Sequence, residues 1–427
     1  MKLRTKFYNA IQGFRDGFVR QDGGSFTVFT SNSLDNLNVN PSTAYWLHEK
    51  VSVVSDAVNK VVEPASVLPL AIKDDNSGDL KTDVKSSELL TLLDNPQTDL
   101  SGTQLLFELF KSFELTNEAW PVLIGSNRVV SIDFVKPYNI NEQMNGFERL
   151  PREIRTMGTR YQEKIFVRDV DSNGKTRYLA DNGITELVPI INGTNRTDFR
   201  ALSKLNAAVL DAKQYHLGST HNAQLLKNGA RPTGVVVPKE GLTVEQFKQL
   251  ESSLKEQFQG AENTGNVIIA SVPMDGIDFN INNKDMDYVK LIKMSADRIY
   301  TTYNIPLSMI SSDKLTFSNV KESTPQLYVQ AVIPAFTRFT RLLSYHLQHR
   351  FPELQNGTLW YNPFEVPQIQ GLLIEKMEAM SKVNVFTDNQ ILKEAGFDDY
   401  DGGDIHYKPS NLVTVDDIRF GTGEGES

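Results

Sequence analysis

The sequence predicts an α+β, multi-domain protein, on three observations. Its 427 residues are too many for one ordinary core and leave room for two to four. Two long, half-polar helical patterns, from Asp198 to Lys227 and from Asp285 to Tyr303, enclose a compact strand, helix and strand between Thr233 and Phe279. Between Val129 and Ile191, short segments alternate apolar and polar residues and are separated by turn formers, the pattern of a β-rich region.

In chain order, Leu3, Phe7, Ile11, Phe14 and Phe18 fall at helical spacing among Lys2, Arg4, Lys6, Arg15 and Arg20, with Asp16 the one acid, a net charge of +4. Such a helix suits a membrane surface or targeting role, a nucleic-acid arm, or docking on a neighbouring subunit. Gln21 to Pro41 is rich in Gly, Ser, Asn and Thr and reads as a linker. One helix is expected from Trp46 to Val62, with a strand after Pro64 through Ile72. A helix from Ser86 should stop at Asn95-Pro96, and another, Ser101 to Leu115, should lead through Asn117-Glu-Ala-Trp-Pro121 into a strand at Val122.

Inside the β-rich region, Asp169-Val-Asp-Ser-Asn-Gly174 matches the opening of a calcium-binding loop. The bidentate acid such a loop needs is replaced by Ala180, and the flanks read as strands, so Asn173-Gly174 is read as a two-residue hairpin turn. The first long helix, capped by Thr197 or Asp198, carries Leu202, Leu205, Val209, Ala212, Leu217 and Leu225 among many polar residues, with Gly218 as a weak point. That mixture fits a helix packed beside copies of itself. The second places Val289, Ile292, Ala296, Ile299 and Tyr303 in one stripe, with Asp287, Lys290, Asp297 and Arg298 opposite. Asn304-Ile305-Pro306 ends it and opens a long polar loop. Pro325 to His349 reads as a helix kinked at Pro334, followed by a strand at Thr358 and helices from Gln368 and Asp388.

Composition removes several function classes. With no cysteine, the chain has no disulfide, thiolate metal site or cysteine nucleophile, and its six histidines lack metal-ligand spacing. No apolar run approaches the roughly 18 residues of a membrane span, and the first residues lack a secretory apolar core. A net charge of −9 argues against a basic, sequence-reading DNA binder. From Glu375 onward, twelve acids outweigh five bases, and an acidic wall suits a conduit, because phosphates slide past it instead of being held. No phosphate-cradling, nucleophile-elbow, zinc-helix or dinucleotide motif occurs, which leaves no candidate catalytic residue, metal ligand or cofactor.

An ordered set of short runs carries a resemblance: Asn228-Gly-Ala-Arg-Pro-Thr-Gly234; Gly260, Asn263 and Gly265; Tyr303-Asn-Ile-Pro306; Thr316-Phe-Ser-Asn-Val-Lys-Glu322; and Phe386-Thr-Asp-Asn389 with Gly402-Gly-Asp404. Over Trp46 to Asp404 the chain resembles the portal proteins of tailed bacteriophages, of the lambdoid siphophage type. One run departs from the family pattern, where Thr116-Asn-Glu-Ala-Trp120 carries an extra Glu118. The resemblance implies a wing from residues 42–197 and 325–367, a stem from 198–227 and 284–303, a clip over 228–283 shaped by Gly229, Arg231, Pro232 and Gly234, and a crown with an acidic tail over 368–427, after an arm and linker over 1–41. It implies a tunnel loop over 304–324 with Lys314, Phe317, Ser318, Asn319 and Lys321 at the DNA channel, and Lys290, Asp297 and Arg298 on the polar stem face.

The function so implied is that of a dodecameric ring at one capsid vertex of the virion, assembled in the host cytoplasm, which passes double-stranded DNA without reading it. Its implied partners are further copies of itself, the terminase large subunit, the major capsid or scaffold protein and a head-tail adaptor. Two rival readings are another ring-forming structural protein, from a baseplate or secretion ring, and a soluble enzyme without a recognisable motif.

Overall fold

The computed structural model describes residues 39–74, 86–143, 150–157, 164–170, 174–193, 199–227, 234–238, 243, 245, 274–278, 285–310, 323–362, 365–383, 385–394 and 399–405. The chain enters on α1 (Pro41–Lys50), whose first turn is fixed by Asn40, with its side chain accepting from the Thr43 amide at 2.8 Å, and by Pro41 at a position that needs no N–H donor. The expected linker therefore ends earlier than Pro41. The expected single helix is also two, because Val51, buried and extended (φ −113°, ψ 100°), closes α1 and opens α2 (Ser52–Ser66). Pro64 does not end α2, since it sits in the last turn and costs one hydrogen bond there.

Serine caps start α3 (Glu88–Asp94) and α4 (Gly102–Thr116): Ser87 accepts from the Leu90 amide and Ser101 from the Gln104 amide. Asn117 ends α4 in the left-handed region at φ 58° and turns the chain into the sheet. Short strands follow, β2 (Glu118–Ala119), β3 (Pro121–Ile124), β4 (Ser131–Phe134), β5 (Ile140–Gln143), β6 (Glu153–Thr156), β7 (Ile165–Val170), β8 (Thr176–Ala180), β9 (Thr185–Leu187) and β10 (Ile190–Ile191). Seven of them form an antiparallel sheet in the order β4-β3-β9-β8-β7-β6-β5, while β10 pairs with β2. Trp120, Ile154, Phe166, Tyr178, Leu187 and Phe199 make the sheet's own apolar core. In the β7–β8 hairpin Val170 pairs with Thr176, so five residues join the strands where two were expected. Gly174 still takes a positive φ of 79° in that connection, and Ala180 is a strand residue paired with Phe166.

The second core is helical. Phe110 and Phe113 of α4 meet Phe336 and Phe339 across ring separations of 5.3 to 5.4 Å, joined by the valines of α2. Those phenylalanines lie on a helix over residues 323–347 that begins two residues before its expected start. Its five-residue π turn, Tyr328–Val332, comes directly before α7 (Ile333–Leu347), and there the Ile333 amide reaches back to the Tyr328 carbonyl. At Pro334, where a kink was expected, the helix continues, with the wider turn directly upstream. Strand β13 (Gly357–Tyr361) pairs antiparallel with β1 (Leu70–Asp74), Leu70 opposite Tyr361. Helices α8 (Gln370–Val383) and α9 (Asp388–Glu394) follow. A reciprocal box opens α9, in which the Gln390 amide donates to Thr387 Oγ1 and the Thr387 amide to Gln390 Oε1.

Between β10 and β13 lies the long antiparallel pair α5 (Val209–Lys227) and α6 (Asp285–Thr302). Past α5, β11 (Gly234–Pro238) pairs with β12 (Met274–Asp278), Gly234 opposite Asp278. The first long helix begins eleven residues later than its pattern predicted. Residues 199–208 are bound into the sheet junction instead and reach α5 through a 3₁₀ turn at Lys204–Asn206, where Ser203 accepts from the Leu205 amide. The expected caps Thr197 and Asp198 lie outside the described residues. Asn304, at φ 57°, ends α6 where Asn-Ile-Pro was expected to break it.

Candidate functional site

The helix pair α5–α6 has a defined register. Arg298 Nη1 lies 3.2 Å from Asp211 Oδ1, Ser295 donates to Gln214 Oε1 at 3.1 Å, and Gly218 faces Ile292 so closely that a Cβ there would stand 2.8 Å from the Ile292 Cγ1. Gly218, which propensity marks as a weak point, is the residue that lets the helices approach. One side of the pair packs on the core: Tyr300 donates to Asp56 at 2.7 Å, Tyr215 and Ser52 share a hydrogen bond, and the Trp46 and His216 rings meet at 5.2 Å. Burial and the Asp56 carboxylate push the Tyr300 hydroxyl above its ordinary pKa, so it stays a neutral donor.

Along α6 the burial fades. Ile299 and Tyr303 are buried, Ile292 and Ala296 half-buried, and Val289 is 62% exposed, so the expected apolar stripe is a core stripe only in its second half. The three residues expected on the polar stem face do not act as one group. Lys290 and Asp297, seven residues apart, share the edge of α6 away from α5, Lys290 exposed and Asp297 half-buried. Arg298 belongs to the seam with α5 through Asp211. Gly234 stands at the start of β11, whereas Gly229, Arg231, Pro232, Lys314, Phe317, Ser318, Asn319 and Lys321 lie outside the described residues.

Two charge clusters that sequence reading missed fix the pair's base and the sheet. Glu118, fully buried, accepts from both Arg200 Nε (3.0 Å) and Nη2 (2.8 Å), from the Ala201 amide (2.7 Å) and from Trp120 Nε1 (3.1 Å). Arg200 continues to Glu142 and to the carbonyls of Pro137 and Ile140, and stacks on Trp120. Burial disfavours its charge, but Glu118 and Glu142 outweigh that and hold its pKa above the ordinary value. Lys204 pairs in turn with buried Glu114 on α4. The signal for this cluster was present in the extra Glu118, but its partner stands 82 residues away.

The second cluster ties the sheet to α7. Glu186 on β9 is buried and 2.6 Å from His349 Nε2, Arg350 Nη2 donates to the Gly125 carbonyl, and Lys175 donates to the Tyr345 carbonyl at 2.7 Å. Burial first, then Lys175 and His349, push the neighbouring His346 down to a pKa of about 4. In both clusters the buried acids are matched by basic side chains, an arrangement that holds elements together. Among the described residues no group of three or more His, Asp or Glu could hold a metal ion.

A helix pair packed on a two-core body, with a seam registered by Asp211–Arg298 and Gln214–Ser295, defines a structural protein. The sequence profile of the phage portal protein family matches residues 52–381. The chain belongs to that family, a structural one. An uncharacterized protein of Rickettsia bellii (strain RML369-C) is 25% identical over 308 residues, 70% of this chain and 75% of the relative, and one of Rickettsia felis (strain ATCC VR-1525 / URRWXCal2) is 23% identical over the same shares. Among solved structures the fold is similar to a chain of the neck of an empty gene transfer agent particle computed with C6 symmetry, at a TM-score of 0.54, 16% identity and coverage of 88% of this chain and 96% of that one. It is also similar to a chain of the native particle's neck computed with C12 symmetry, at a TM-score of 0.51, 16% identity and coverage of 86% and 93%.

Proposed function

We propose that this portal protein assembles as a dodecameric ring at one capsid vertex of a virion, and that double-stranded DNA passes through its centre without sequence readout. The carrying observation is the fading burial along α5 and α6. Ala208, Val209 and Ala212 are buried at the base of α5 while Leu217 is 56% exposed, and on α6 burial fades from Tyr303 to Val289. Apolar surface left open in this way is completed most simply by identical neighbours. In this reading α5 and α6 form the stem, β11–β12 stands at the base of the clip, and α8–α9 belong to the crown. The ring hydrolyses nothing itself. A terminase large subunit drives DNA inward, the major capsid or scaffold protein surrounds the wing, and a head-tail adaptor follows after packaging, all before release from the host cytoplasm.

Native mass measurement and negative-stain imaging of the purified protein test the ring. Particles of many copies with a central hole are expected, and a strictly monomeric species at micromolar concentration across a range of salt would overturn the reading. Within such a ring, the segment between α6 and the helix that opens at Ser323 is the part nearest the DNA. Replacing Lys314 and Lys321 together by Ala should leave ring formation intact and change packaging rate or packaged length, with an effect that shrinks as salt screens phosphate contacts. Unchanged packaging at low salt would remove both lysines from the DNA path.

A further inference from the structure

The α5–α6 pair inverts the usual pattern of a helical hairpin. Its internal seam is mostly polar, built from Asp211–Arg298 and Gln214–Ser295 with Ile292 against Gly218, while other large apolar side chains are exposed. Leu210 and Leu217, seven residues apart on α5, are 51% and 56% exposed, and Leu291 and Met294, three apart on α6, are 40% and 52% exposed. Helical periodicity carried outward from the seam residues places these four on one side of the pair. Tyr215, His216 and Tyr300, which contact α1 and α2, mark the other.

From this the geometry points to a subunit contact surface: the face formed by Leu210, Leu217, Leu291 and Met294 is covered by the helix pair of a second copy of this chain. The inference rests on the ring reading and adds which face of the stem is buried and which is not. DNA does not fit this face, because four large aliphatic side chains offer phosphates no donor and no charge. Lys290 and Asp297 stand one turn from Met294, at the margin of this face farther from α5. A copy of the same chain fits it, because rotational symmetry of the kind used for the necks of similar fold sets equivalent helix pairs side by side. Contacts around a ring are head-to-tail, so an apolar face on one side of the pair meets a different surface of the next subunit.

The chain contains no cysteine, so a single introduced thiol reports on one place. In full-length Leu217→Cys and Met294→Cys variants, maleimide should react at least tenfold more slowly in the ring fraction than in monomer separated from it. A benzophenone attached through Leu217→Cys should yield covalent dimers of the chain when rings are irradiated. Lys290→Cys, at the margin of the face, should lose less reactivity on assembly than Leu217→Cys or Met294→Cys. If native mass shows rings and the Leu217→Cys and Met294→Cys thiols remain as reactive as in monomer, or if the benzophenone transfers to DNA in loaded rings, the contact surface is refuted while the ring stands. Protection of Lys290→Cys with Leu217→Cys left open would move the contact to that margin and also refute it. Should native mass stay at one chain, the ring reading fails first and the surface with it. Where Leu217→Cys lowers soluble yield, Met294→Cys carries the test alone.

Discussion

At the junction of β2 with the segment entering α5, buried Glu118 accepts from Arg200, Ala201 and Trp120, all within the chain, and apolar side chains close over it. In the α5–α6 pair the arrangement is reversed, with polar groups registering the two helices and leucines turned away from both. The first region is complete in one subunit; the second, in the proposed ring, is completed by a neighbour. Stability of the single chain and capacity to assemble are therefore set by different residues, and substitutions should separate them.

The largest effect on the subunit is expected at Arg200. Arg200→Ala strips the fully buried Glu118 of its cation, which costs roughly 3–5 kcal/mol. Arg200→Lys should recover only part, because an ammonium cannot reproduce the fork that reaches Glu118, Glu142 and two carbonyls. Denaturant unfolding of dilute subunit measures both, and a loss below about 1 kcal/mol for the alanine variant would break the contrast between the regions.

A smaller effect, again confined to the internally completed region, is expected from acid. His346 has a folded pKa of about 4, below its ordinary 6.5, so the unfolded chain takes up the proton first. The stability it contributes is whole above pH 6.5 and is lost as pH falls from there toward 4, on the order of 2 kcal/mol for a half-buried site. His346→Leu should flatten the unfolding free energy across that window. An unaltered slope would place the acid sensitivity elsewhere.

The smallest effect on the subunit sharpens the comparison most. Leu217→Ser should change unfolding of dilute monomer by less than about 0.5 kcal/mol, since the side chain is already in water there. Its effect should appear in the yield of assembled particles, scored by sedimentation. Destabilised monomer with normal assembly would reverse the assignment of this residue.

Much of the fold was readable where local chemistry decides it. Helices were expected from Ser86, Ser101 and Asp388 and start at Glu88, Gly102 and Asp388, Asn304-Ile305-Pro306 ends α6, and strands expected at Val235 and Thr358 are β11 and β13. What escaped was set by contacts between distant residues. Leu202 and Leu205 fit the helical pattern ahead of α5, but Arg200 and Lys204 are drawn to Glu118 and Glu114, and those ion pairs override the local preference. The break at Val51 follows from its burial, which nothing in its neighbours announces. Spacing grouped Lys290, Asp297 and Arg298 on one polar face, and spacing alone could not divide an edge from a seam, because Asp211 lies 87 residues from Arg298.

The π turn at Tyr328–Val332 solves a counting problem. Buried residues along this helix come in pairs four apart: Leu327 and Tyr328, Ala331 and Val332, Ala335 and Phe336, Phe339 and Thr340, Leu343 and Ser344. At 3.6 residues per turn, a four-residue repeat slips by about 40° each time, and over so many repeats the first pair would have swung round to solvent while the last still faced inward. The wide turn takes back that slippage near the start of the repeat, so that the helix can show the same side to the core along its length. Deleting Val329 should return the helix to even winding and rotate Leu327 and Tyr328 outward by about 100°, an error of phase with no change in composition, visible as a loss of cooperative unfolding.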